Sequence, residues 1–192
     1  MSRKSQSELI KNMSDKEILF HLLLTQLIIF IIAMAGSWLL FDSFLEGWSD
    51  QFTVDAEQIF VYGVLPGFLI VGLDLLLMKL LPEKYYDDGG INERVFSRRS
   101  VGAIFLLAGL VSVSEELLFR GVIQTQFGYI FASTLFAIIH IRYLKKIVLF
   151  VSVLSVSFFI GYMYEITGNI IVTITAHFII DVSLALVIRF KK

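Results

Sequence analysis

The chain contains no cysteine and only two prolines, Pro66 and Pro82. The first absence excludes a disulfide framework, a thiol nucleophile and thiolate metal ligands. The second lets most helices run unbroken. Charge is scarce as well: Asp, Glu, Lys and Arg make up 17% of the 192 residues, against about 25% in a soluble domain. The formal net charge is −1, so nothing favours a nucleic-acid partner. No internal repeat and no low-complexity segment is present.

What fills the chain instead is apolar. Hydrophobic residues reach 57% and the mean hydropathy is +0.80, which points to lipid as the solvent. Apolar runs long enough to cross a bilayer, roughly 17–25 residues, fall at 18–41, 59–81, 101–123, 125–143, 147–164 and 170–189. The fourth and fifth are separated only by the short "HIRYLKK". The expected fold is therefore all-α, a polytopic membrane helix bundle of about six crossings, forming a single membrane domain over 1–192 in a cell membrane. Lys and Arg placement sets orientation. The groups Arg3, Lys4, Lys11, Lys16; Lys79, Lys84, Arg94, Arg98, Arg99; Arg142, Lys145, Lys146; and Arg189, Lys191, Lys192 all fall on alternate connections or at the ends. The connections at 42–58, around 124 and at "EITGN" hold none, so both termini are expected in the cytoplasm. "AMA" at 33–35 looks like a signal-peptide cleavage site, but the apolar run continues through Leu40 and the preceding tail carries three acids, so the first run is read as a crossing.

One basic residue of the 16 breaks this pattern, Arg120, in "SVSEELLFRGVIQ". An ionisable group at mid-bilayer costs about 2.5–3.5 kcal/mol on insertion scales and marks a site or a pathway when it occurs. The intramembrane set is Asp74, Glu115, Glu116, Arg120, His140, His177 and Asp181. Glu116 and Arg120 are four apart and can pair on one helix face. Glu115 points about 100° away, outside that pair, which suits it to be a general base. His140 follows Phe136 by one turn in "LFAIIHI". His177 and Asp181 share a face in "TAHFIIDVS", and Asp181 could hold the imidazole in one tautomer. His21 reads as interfacial, and Asp74, with Lys79 five residues on, as a solvated or snorkelling helix end. Each of these groupings taken singly is equally compatible with buried pairs that only fix helix packing.

The order E-E-x-x-x-R, F-x-x-x-H and H-x-x-x-D, here "EELLFRG" at 115–121, "FAIIH" at 136–140 and "HFIID" at 177–181, resembles the CPBP family. This is the family of type II CAAX prenyl endopeptidases and bacteriocin-processing enzymes, and the resemblance covers a core at about 101–185. "GYMYEITGNIIVTITAH" is also similar to the segment before the family's last histidine. The resemblance implies a helical membrane bundle enclosing a peptidase site. In it Glu115 would activate a water with help from His140, His177 and position 181 would stabilise the oxyanion, and Glu116 and Arg120 would be supporting structure. Position 181 is asparagine in the prenyl-protein proteases. An ionised Asp181 cannot donate to an oxyanion, so it is either protonated or orients His177.

Family members are often described as metalloproteases. His140, His177 and Glu115 would suit zinc with an open fourth position, but H-E-x-x-H is absent and a water activated by Glu115 needs no metal; both chemistries are compatible with these residues. The expected partners are membrane lipid and a peptide or membrane-anchored protein substrate. Two other readings remain: a proton-coupled transporter using the same groups as a relay, for which neither repeats nor broken helices are visible, and a non-catalytic immunity or scaffold protein of the same fold. Straight helices with the bounds above put His140 about 10 Å nearer the inner face than Glu115, so convergence requires tilt or shifted boundaries.

Overall fold

A computed structural model describes residues 13–144 and 146–191. Arg3, Lys4, Lys11, Lys145 and Lys192, part of the charge pattern above, lie outside the described residues. Five helices are long and apolar enough to cross a membrane: α1 (Asp15–Leu40), α3 (Ala56–Leu80), α5 (Val101–Phe127), α7 (Ile147–Thr167) and α8 (Ile170–Phe190). Between them lie two six-residue helices, α2 (Phe44–Ser49) and α4 (Ile91–Phe96), and the short apolar helix α6 (Tyr129–Ile139). Among the described residues every regular element is helical. The chain is an all-α, multi-pass membrane protein.

Helix starts follow local chemistry. Ser14 and Glu17 form a capping box at α1, Ser100 caps α5 and Asn169 caps α8, each satisfying amide donors that lipid cannot. The fourth expected crossing differs from 125–143. α5 runs on to Phe127, the chain reverses at Gly128 (φ 87°, ψ 162°), and α6 ends at Ile139 after 11 residues. At 1.5 Å per residue that helix spans about 17 Å, half a bilayer core. A 3₁₀ turn at Ile141–Tyr143 leads on to α7.

The 81–100 segment ties the two described chain ends to one end of the bundle. Arg94 pairs with Asp15 at 3.0 Å, Lys191 with Glu83 at 3.3 Å, and Arg189 Nε donates to the Arg99 carbonyl at 2.8 Å. Lys146 Nζ also donates there, to the Lys84 carbonyl at 3.4 Å. The opposite end is closed by α2 and its flanks: Ile170 N donates to the Gln51 carbonyl at 2.9 Å, and Tyr164 donates to Gln51 Oε1 at 2.6 Å.

α5 and α8 form the centre, packed on each other, with α1 and α6 against α5, α3 and α7 against α8, and α6 also against α7. α3 approaches α8 closely through Gly63 and Gly67, one turn apart. A Cβ there would stand 3.0 Å from the Val172 carbonyl oxygen and 3.1 Å from that of Ala176, the small-residue packing that membrane helices use.

Candidate active site

Within α5 the backbone widens to a π-helix over Leu117–Gln124, a distortion frequent at functional sites. Thr125 Oγ donates to the carbonyls of Arg120 and Gly121 at 3.1 and 2.9 Å, covering oxygens that the wide turn exposes. Glu115 and Glu116 end the regular part of the helix, and Arg120 lies inside the widened part.

Arg120 and Glu116 are both fully buried. The guanidinium has five N–H donors, and five bonds are made. Nε reaches Glu116 Oε2 at 3.3 Å. Nη1 reaches Gln124 Oε1 at 3.2 Å and Ser133 Oγ at 3.3 Å. Nη2 reaches the Ser157 carbonyl at 3.1 Å and Ser157 Oγ at 3.0 Å. One arginine thereby joins α5, α6 and α7. Gly161 leaves it room: a Cβ there would lie 2.7 Å from Ser133 Oγ and 3.0 Å from Arg120 Nη1. Gln124 Nε2 extends the chain of bonds to the Gly161 carbonyl at 2.9 Å and to Glu165 Oε1 at 2.7 Å.

The spacing of Glu116 and Arg120 thus appears as a contact in space, but Glu116 does more than neutralise the arginine. Its Oε1 accepts from His177 Nδ1 at 2.9 Å, which fixes the imidazole of α8 to α5. His177 Nε2 faces Asp181 Oδ2 at 3.6 Å, a charge contact too long to be a hydrogen bond. Glu115 lies within electrostatic reach of both His177 and Asp181, and Gln26 Nε2 of α1 donates to its Oε1 at 3.1 Å.

His140 joins this group through Phe136. The Phe136 ring lies 4.8 Å from the His140 ring and 6.1 Å from the His177 ring, and His140 is within electrostatic reach of Asp181. Its Nδ1 donates to the Phe136 carbonyl at 2.7 Å. The 10 Å offset expected for straight full-length helices does not arise, because the reversal sits at Gly128. Glu116 stands twelve residues before that glycine and His140 twelve after it, so a hairpin folded there returns His140 toward the depth of Glu116.

The six expected site residues therefore lie in one region, Glu115, Glu116, Arg120 and His177 buried and His140 and Asp181 partly exposed. His21 is exposed beside the Phe20 ring, and Asp74 stays partly exposed on α3. The sequence reading passed over Gln26, Ser114, Gln124, Ser133 and Ser157, all buried; an amide or hydroxyl within an apolar run was the available signal. Among the described residues no three His, Asp or Glu side chains are grouped to hold a metal ion. Glu115, His140 and His177 are thus not gathered as a three-ligand zinc site in this arrangement.

The family comparisons agree with this architecture. The model of the type II CAAX prenyl endopeptidase Rce1-like family matches residues 97–183, the stretch that carries all six residues. The chain is 44% identical over 168 residues, 88% of each chain, to a Bacillus subtilis (strain 168) protein described as uncharacterized protein YpbD. No solved structure gives a significant match. A membrane bundle with this buried Glu–Arg–His arrangement, matched at such coverage, belongs to the Rce1-like family of type II CAAX prenyl endopeptidases.

Proposed function

We propose that the chain is an intramembrane endopeptidase that hydrolyses a peptide bond of a membrane-associated protein or peptide, CAAX-type or precursor-processing, with a water activated by Glu115. As the water oxygen attacks the carbonyl carbon, its proton passes to Glu115, with His140 helping to hold the water. The negative charge that develops on the carbonyl oxygen is met by His177, whose Nε2 proton, when present, is not committed to a hydrogen bond with Asp181 at 3.6 Å. The proton on Glu115 then goes to the leaving amine as the C–N bond breaks. Asp181 orients His177 by charge and need not donate, which removes the objection to an aspartate at this position. Glu116 and Arg120 hold His177 from behind.

The observation that carries this reading is a second buried carboxylate, Glu115, adjoining the Glu116 that anchors His177 through Nδ1 at 2.9 Å and within electrostatic reach of that imidazole. A pure packing pair would need Glu116 and Arg120 but not the second carboxylate, His140 or Asp181.

The test uses the purified chain in lipid vesicles, a farnesylated CAAX peptide and a membrane-tethered precursor peptide, with release of the C-terminal fragment as readout. Glu115→Gln is expected to lower turnover at least about 100-fold, the scale of general-base catalysis. His140→Ala is expected to lower it as well. Undiminished cleavage by Glu115→Gln would sink the mechanism. Absence of cleavage of either peptide by the unaltered chain would favour the non-catalytic reading of the fold.

A further inference from the structure

Of all the residues of α1, only Ile18, Gln26, Ala33 and Ser37 are buried, and Gln26 is the one that reaches a site residue. It sits in "HLLLTQLIIF", where the neighbouring side chains face lipid, and is 5% exposed. Its Nε2 donates to Glu115 Oε1 at 3.1 Å, and its Oε1 accepts from Ser114 Oγ at 2.6 Å. With Glu115 ionised, as a general base must be, the amide stands one way round, and the Ser114 proton is shared between Gln26 Oε1 and the Leu110 carbonyl at 2.7 Å. A carboxylate accepts and does not donate, so the nitrogen must face Glu115 and the oxygen must face the hydroxyl. Reversed, two acceptors would meet in a dry interior, which costs the full desolvation of each.

We propose that Gln26 is a positioning residue for the Glu115 carboxylate, and that α1, which lies outside the matched stretch 97–183, is part of the catalytic apparatus. The proposal rests on the reading of Glu115 as the water-activating base. Gln26 constrains the Glu115 carboxylate from a second helix. Ser114, next to Glu115 in the chain, in turn holds Gln26, so the carboxylate, the amide and the hydroxyl form one unit across the α1–α5 contact.

A positioning role predicts a loss in kcat rather than in KM, because the hydrogen bond touches the base and not the substrate. Gln26→Leu, which keeps the volume and removes the donor, is expected to lower kcat on the order of 10- to 100-fold, the scale of a hydrogen bond to a charged group, with KM within about threefold. Gln26→Met serves as a second variant should the leucine disturb folding, monitored by thermal unfolding in detergent. Ser114→Ala is expected to give a smaller loss. Combined with Gln26→Leu it should cost less than the two single losses multiplied, since the hydroxyl and the amide act on Glu115 as one hydrogen-bonded unit; the split between kcat and KM is what separates positioning from a merely structural pair.

If Glu115→Gln abolishes turnover while folded Gln26→Leu and Gln26→Met keep kcat within twofold, the positioning role is overturned and the peptidase reading stands. Equally, losses that appear only in KM, or that add fully with Ser114→Ala, overturn it. If Glu115→Gln retains turnover, the reading of the base fails and this inference fails with it.

Discussion

The two central helices, α5 and α8, and the outer α1, α3 and α7 are built from similar letters to opposite ends. Over their most apolar windows α1 has a mean hydropathy of 2.5 and is 17% buried, and α3 has 2.1 and 22%; α5 has 1.8 and α8 has 2.2, yet each is 44% buried. The most apolar helix is the least buried. In water the reverse ordering would hold, since burial follows apolarity. In lipid the outside is already apolar, so polarity is what must be enclosed. Ser112, Ser114, Glu115, Glu116, Arg120 and Gln124 are all buried on α5, and Thr173 and His177 on α8. The interior of this bundle is thus legible as the place where hydroxyls, amides and charges collect.

Four variants break or sharpen that contrast, each read by unfolding in mixed micelles. The largest effect is expected from Arg120→Ala, which strands Glu116 at the centre and should cost about 3–5 kcal/mol. Removing both members in Glu116→Gln/Arg120→Gln should cost less than the two single changes summed. Next is Gly161→Val, which drives a side chain into Ser133 and Arg120 and should cost about 1–3 kcal/mol by overpacking. The smallest is Leu27→Ala on the lipid face of α1, where the side chain is 53% exposed; it should stay within about 0.5 kcal/mol. A cost above about 2 kcal/mol at Leu27, or none at Arg120, would show that the inner and outer helices do not divide the work in this way.

How much of this could be read in advance depended on distance along the chain. The Glu116–Arg120 and His177–Asp181 pairs are one turn apart, so helical periodicity alone announces them. The Glu116–His177, Arg120–Ser157 and Gln26–Glu115 contacts join residues 61, 37 and 89 positions apart, and no local pattern encodes them. The boundary of α5 was missed for a related reason. Gln124 looks like a break between two crossings, but its side chain turns inward to Arg120 and to Gly161 and Glu165 of α7, and the helix runs on to Phe127. The true punctuation is Gly128, whose positive φ a side chain would resist.

That glycine turns the depth of His140 into a matter of counting. A residue inserted anywhere in α6 would shift the histidine by about 1.5 Å and swing it about 100° around the helix, while an insertion in the connections at 41–55 or 81–100, outside α2 and α4, displaces no site residue along its own helix. The site is therefore tolerant of length at the membrane surfaces and intolerant of it between Glu116 and His140. Single-residue deletions in that interval should abolish function while leaving a membrane-inserted chain. Evolution can lengthen this protein at its edges, but within that hairpin it is confined to exchanging one residue for another.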